Sequence, residues 1–471
     1  MTTGGISLKT DPRKVTFALL IATFLSAIEV TIVSTAMPVI GKELGGIHLI
    51  SWVYAAYLLT SAVTAPIYGK MADLFGRKKI FLLSISLFLL GSILCGISRS
   101  MPQLITFRLI QGIGAGGLLP LSQTIIGDLY PFEQRAKVQG LISSIWGISG
   151  LIGPLLGGFF VQYLSWQWIF FINLPFGFLA LAMIKKFLHH EGGYRKRHID
   201  YAGALTFMLG MGTLLFVLLA GGNTLAWGSA LGIASLFVAT LSLTLFILIQ
   251  LKHPEPLVPL KLFRKREIVV SHGSGFLGSA VLIGLNAYLP LWIQGVLHLQ
   301  ATASGLTLTP ISLSWLVGAF LTGQFLPKLG TRSIAIIGVI CIAGGTILLN
   351  TITLSTPFWA LVGMMALIGL GFGCSFTVYT VVIQSAVETS QRGAATSSHT
   401  FLRVLGQTLG IALLGAVFNG VVGNNLDNLP GDVLAEGLYV IFSVLTGIAL
   451  LNLVVTLFIP KFIPNDQEQK G

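Results

Sequence analysis

Apolar runs of eighteen or more residues recur along this whole 471-residue chain, split by short polar loops. Few folds other than a bundle of membrane-spanning helices tolerate that pattern. Fourteen runs are legible, at about 15–40, 48–68, 79–98, 102–126, 138–162, 167–188, 201–221, 227–251, 268–295, 304–327, 333–352, 357–386, 399–422 and 436–459. Most hold ~20–26 residues, which at roughly 1.5 Å per residue crosses a hydrocarbon core of about 30 Å. Only 9% of residues are charged, against about 25% in soluble domains. The expected fold class is therefore an all-α polytopic membrane protein. The first run lacks the small-residue cleavage site of a signal peptide and reads as a retained helix.

Charge placement orients the helices. With the N-terminus in the cytoplasm, 24 of the 28 lysines and arginines fall in inner loops and tails. Only Lys42 and Arg99 fall outside, and Arg108 and Arg403 lie within or at the edge of spans. That bias puts both termini on the cytoplasmic side. It also accounts for the net charge of +12 as topology, so no nucleic-acid partner is expected. The three cysteines, Cys95, Cys341 and Cys374, form no C-x-x-C pair, which gives no sign of a metal site or disulfide framework. No phosphate-binding loop of the G-x-x-x-x-G-K-[ST] type occurs. No nucleophile–base set is visible either, so the chain does not read as an enzyme, and no cofactor beyond a coupling proton is expected.

The chain repeats itself. At an offset of 254, Gly69 and Gly76 fall on Gly323 and Gly330. At 257, Gly112, Gly114 and Gly116 fall on Gly369, Gly371 and Gly373, and Gln134-Arg135 falls on Gln391-Arg392. Spans 1–6 thus align with spans 9–14, and spans 7 and 8 are left over. The expected organisation is a six-helix bundle over 1–190, an extra pair over 191–260 and a second six-helix bundle over 261–471. Parallel repeats of this kind point to a transporter that holds substrate between two halves.

Three motifs narrow the reading. The loop GKMADLFGRKK (69–79) offers turning glycines, Gly69 and Gly76, and an Asp73–Arg77 pair spaced to meet across one helical turn. It resembles the G-x-L-A-D-x-x-G-R-K signature of the major facilitator superfamily, with Met71 for Leu. LITFRLIQGIGAGG (104–117) resembles that superfamily's R-x-x-Q-G-x-G segment through Arg108, Gln111, Gly112 and Gly114. WGISGLIGPLLGG (146–158) resembles its antiporter signature through Gly150, Gly153, Pro154, Gly157 and Gly158, with Ser149 where Gly is usual. Small residues at that spacing also let a neighbouring helix approach closely.

IEVTIVSTAMP (28–38), WQWIFFINLPFG (166–177) and DYAGALTF (200–207) are similar to segments of the fourteen-helix drug:proton antiporters of that superfamily. Glu29 stands where they carry Asp, Ser34 where they carry Asn, and Gln167 where they carry Arg. The resemblance implies a major facilitator fold, proton-driven export of small amphipathic compounds, cationic or neutral, and a place in a bacterial-type cytoplasmic membrane. Membrane lipids are the other expected partners, and a monomer is the expected state. The alternative on the same scaffold is an exporter of a lipid or a dedicated metabolite.

Glu29 alone of 16 acids lies deep in a span. A charge there costs about 2.5–3.5 kcal/mol on insertion scales, so intramembrane acids read as functional. Arg108 is the candidate partner: the two lie ~16 Å and ~9 Å from the outer ends of spans 1 and 4, and long side chains nearly bridge the difference. Their counterparts in the repeat, Ile283 and Met365, are apolar, so proton handling is expected in the first half. Gln111, Trp146, Asn286, Tyr288, Gln294, Trp315, Tyr379 and Gln384 are candidate substrate contacts. Tryptophans near span ends, including Trp166 and Trp292, are expected as interfacial anchors, and His272 and His399 as ordinary edge histidines.

Overall fold

The computed structural model describes residues 10–130, 132–189, 200–220, 225, 229–253, 256, 260–387, 392–423 and 431–461, less some side chains within helices. Asp73's side chain, the Gln391 of the loop match, Trp227 and the basic run 195–197 lie outside the described residues. The helices are α1 (Pro12–Glu43), α2 (Ile50–Phe75), α3 (Arg77–Gly96), α4 (Met101–Leu129) and α5 (Phe132–Tyr163). Next come α6 (Trp168–Phe187, with a turn at Ile172), α7 (Tyr201–Ala220), α8 (Ala230–Lys252) and α9 (Arg266–Leu291). A single run, Ala301–Leu349, carries α10 and α11, followed by α12 (Phe358–Ser385), α13 (Arg392–Val422) and α14 (Gly431–Thr456).

Thirteen helices among the described residues are long and apolar enough to cross a membrane. The run Ala301–Leu349 accounts for the difference from fourteen. Its 49 residues would stretch about 74 Å as one rod, far beyond a bilayer. It breaks at Gly330, whose φ of 75° and ψ of 167° are non-helical. The same device separates α2 from α3: Gly76, with φ 92° and ψ 135°, is the one residue between them. A side chain at positive φ is strained, so glycine occupies both joints. The two glycines are partners in the 254-residue repeat.

Helix starts follow capping chemistry. Asp11, Ser100 and Ser229 accept backbone N–H bonds from Lys14, Gln103 and Gly232. Lys14, bonded to the Asp11 carboxyl, holds that group below the usual carboxylate range.

The helices fall into two compact units. The first holds α1–α6, α8 and all but the last turn of α7; the second holds α9–α14. The extra pair is stapled by Asp200, which accepts Gly203 N–H at 2.7 Å and the Gln250 amide at 2.5 Å. Phe207 and Phe246 pack at 5.0 Å beside it. Much of α8 is exposed, with Leu231, Ile233, Phe237 and Leu251 all about 60% accessible, as suits a lipid-facing helix.

Within each unit the repeat is written in helix packing. A methyl group on Gly112 would sit 2.5 Å from the Tyr57 carbonyl oxygen, and one on Gly116 would sit 2.6 Å from that of Ser61. In the second unit a methyl group on Gly369 or Gly373 would run into the carbonyl oxygen of Ile311 or Trp315 in the same way. Tyr57 and Ser61 shift by 254 onto Ile311 and Trp315, so α4 lies on α2 as α12 lies on α10.

Some expectations are corrected. Trp166 and Trp292 are buried, not interfacial. Trp166 donates its indole N–H to Glu43, and Trp292 packs on Tyr439 and Phe442. His272 and His399 are also buried. The reason is that α9 and α13 begin at Arg266 and Arg392, before their apolar runs do, which carries both histidines about two turns inside.

Candidate functional site

Five helices of the first unit converge on one sealed polar cluster. Glu29 from α1 and Arg108 from α4 are 0% and 1% exposed and form a direct ion pair. The arginine also donates to Gln111 Oε1 at 2.8 Å, one turn along α4, and through Nε to the Val53 carbonyl of α2 at 3.4 Å. Its guanidinium lies over the Tyr57 ring at 4.2 Å. The second carboxylate oxygen of Glu29 accepts the Asn173 amide of α6 at 2.7 Å. Ser92 of α3 closes the ring, accepting Gln111 Nε2 at 3.0 Å and Asn173 Nδ2 at 3.3 Å.

Two buried charges need such a shell. Desolvation of an ion pair offsets its Coulomb gain unless hydrogen bonds satisfy what is left. Here each carboxylate oxygen has a donor, and the guanidinium has a carboxylate, an amide, a carbonyl and an aromatic face. The arrangement can hold a proton at Glu29, and doing so erases the ion pair.

The expected pair, Glu29 with Arg108, is brought together. Gln111, expected against substrate, is instead drawn into this cluster, 0% exposed. Asn173 and Ser92 went unnoticed. Asn173 lies in the INLP stretch of the antiporter-like segment, and its polar amide inside an apolar helix was the available signal.

The glycine stripe of α5 bears on the helix that carries Glu29. Methyl groups on Gly153 and Gly157 would sit 2.0 Å and 2.2 Å from the hydroxyls of Thr31 and Thr35, and Thr31 donates to the Ser149 carbonyl at 3.1 Å. Gly150, Pro154 and Gly158 are buried beside them. The antiporter-like stripe is thus the seat of α1.

In the loop motif, Arg77 opens α3 and forms an ion pair with Asp128 near the end of α4, with a further bond to the Thr124 carbonyl. Nothing in the sequence singles out Asp128, an acid near a span end whose partner lies on another helix. Gly69 lies in the open, with nothing within 4 Å of an added methyl.

The remaining substrate candidates scatter. Trp146 is 39% exposed on α5. Along α9, Asn286 is half-buried and Tyr288 packs on Phe418, and in the turn just past it Gln294 donates to Ser304. Gln384 reaches Thr396 on α13. Trp315 and Tyr379 do meet, around Phe376, at 5.3 Å and 5.8 Å. A separate cavity of about 910 Å³ in the second unit is lined by Trp292, His298, Tyr439, Asp432 and Glu436, and by none of these candidates.

Comparison with known proteins agrees with the fold and the motifs. The family model of the Major Facilitator Superfamily matches residues 19–411. Multidrug transporter protein MdtP of Bacillus subtilis (strain 168) is 38% identical over 422 residues, 88% of this chain and 78% of the relative. Multidrug resistance protein 3 of the same organism is 37% identical over 88% of this chain and 81% of its own. Efflux pump dotC of Dothistroma septosporum is 36% identical over 84% and 70%. Among solved structures, a D-xylose-proton symporter superposes with a TM-score of 0.67 at 16% identity, covering 95% of this chain and 98% of that one. That likeness speaks to the fold alone. A multi-pass, all-helical chain with this repeat, these loop and span motifs and these relatives belongs to the major facilitator superfamily.

Proposed function

We propose that this chain is a proton-driven exporter of small amphipathic compounds, working by alternating access, with both termini in the cytoplasm of a bacterial-type cell. The observation that carries the reading is the sealed Glu29–Arg108 pair. As a carboxylate, Glu29 ties α1 to α4 through Arg108 and to α6 through Asn173. A proton from outside cancels the attraction, leaving Arg108 to Gln111, Val53 and Tyr57. Proton arrival is thereby felt as a change in how α1, seated on α5, is held. Neutralised Glu29 favours the state that releases substrate outward, and loss of the proton to the cytoplasm resets the carrier. Arg77 with Asp128 latches one state. Relatives named multidrug transporters and efflux pumps support export as the direction.

The test is transport in proteoliposomes given an inward proton gradient and a fluorescent amphipathic dye. Wild type moves dye with the gradient and Glu29→Gln does not. Full coupled transport by Glu29→Gln refutes the assignment, and movement of lipid in place of dye favours a lipid exporter.

A further inference from the structure

Three charged side chains lie deep in the membrane-spanning helices among the described residues. Glu29 and Arg108 cancel each other. The third, Arg403 of α13, stands about 16 Å along the helix from Arg392. It makes no ion pair among the described residues, and its Nε has no hydrogen-bond partner. The guanidinium rests over the Phe376 ring at 4.3 Å. Phe376 in turn packs with Trp315 at 5.3 Å, and Trp315 stacks on Phe372 at 5.4 Å.

One turn back along α13, His399 is 3% exposed and stacks on His272 at 5.4 Å, and neither of its ring nitrogens has a hydrogen-bond partner. Imidazoles are neutral or positive, so they do nothing to balance the arginine. Asp432 and Glu436 do not either, being exposed in the first turns of α14. Arg403 and Trp315 are both only partly buried, so a ligand can reach them.

A guanidinium with no counter-charge in a low-dielectric setting repels cations and strongly favours an oxyanion. The flat aromatic surface beside it suits a ring. We propose that Arg403 selects substrate by charge: the second unit takes aromatic amphipaths that carry a carboxylate or similar weak-acid group, with the ring on Trp315 and Phe376 and the anion on Arg403. This rests on the export reading above, and it departs from the cationic or neutral cargo that the family resemblance implies.

Two probes sharing one fluorophore test it, anionic dansylglycine and cationic dansylcadaverine. Their binding to the purified full chain is read by energy transfer from tryptophan. Wild type is expected to bind the anion about ten-fold or more tightly than the cation. Arg403→Gln brings that ratio close to one by losing the anion, and Arg403→Lys keeps its sign. Wild type that prefers the cation, binds the two alike or binds neither overturns the proposal, as does an unchanged ratio in Arg403→Gln. If Arg403→Gln does not fold, the wild-type ratio decides alone. Transport in proteoliposomes separates the two readings. Anion-selective binding without gradient-driven movement sinks export and spares the site. Gradient-driven export of the cation without anion preference sinks the site and spares export.

Discussion

Splitting the Glu29–Arg108 pair should give two variants that respond differently to pH. In Glu29→Leu, a buried guanidinium loses its carboxylate, and it cannot shed its charge. Breaking a buried pair this way costs about 3–5 kcal/mol, and the cost should be the same at pH 5 and pH 7. In Arg108→Met the orphan is a carboxyl, which escapes by taking a proton, with Asn173 still donating to it. The electrostatic penalty is then capped at the free energy of holding that proton. From a reference Glu pKa of about 4.3 and ~1.36 kcal/mol per unit, the cap is about 4 kcal/mol at pH 7 and about 1 kcal/mol at pH 5. The sign follows because the folded variant binds a proton that the unfolded chain releases above pH 4.3, so stability is lost as pH rises. Packing lost from the Tyr57 face adds a part that does not depend on pH. The double variant Glu29→Leu with Arg108→Met should recover most of the stability while coupled transport stays lost. The assay is thermal unfolding in detergent at pH 5, 6 and 7, beside proteoliposome transport. A pH-independent Arg108→Met, or a double variant as unstable as the sum of the singles, would refute the reasoning.

Other outcomes follow from the same geometry. Asn173→Leu, which removes a charge-assisted donor from Glu29, should destabilise by about 1–3 kcal/mol and abolish gradient-driven transport while equilibrium dye binding persists. Loss of dye binding together with coupling would count against that role. Asp128→Asn should slow transport without changing dye affinity, and exchanging the charges as Arg77→Asp with Asp128→Arg should restore it; a failed rescue argues against the ion pair as a latch. Gly112→Ala and Gly369→Ala each drive a methyl into a backbone carbonyl across a helix pair and should each cost about 1–3 kcal/mol. Wild-type melting in either variant would mean the packing is looser than described.

The two deep charges of the first unit were conspicuous in the sequence because nothing hides a Glu or an Arg in an apolar run. The glycine repeat was equally open, since a small residue recurring at fixed offset marks close helix contacts. Asn173 and Ser92 were not, because a single amide or hydroxyl is common in membrane helices and says little until a partner is beside it. Asp128 was masked by position: an acid at a span end looks like any loop charge, and its pairing with Arg77 runs between helices. The buried histidines were misplaced because an apolar run marks the hydrocarbon, whereas α9 and α13 start earlier, on charged residues. Trp292 was misplaced because its cover, Tyr439 and Phe442, comes from a distant helix.

The joints at Gly76 and Gly330 carry a mechanical consequence. A connection of one residue has no slack. The helices on either side can swivel about it, but they cannot slide apart or be displaced independently. Tilting α2, which is clamped to α4 by close glycine contact, therefore hauls α3 along like the second arm of a folding rule, and α10 must do the same to α11. Lengthening either joint by two or three flexible residues would uncouple the arms while leaving every helix, and every buried side chain, intact.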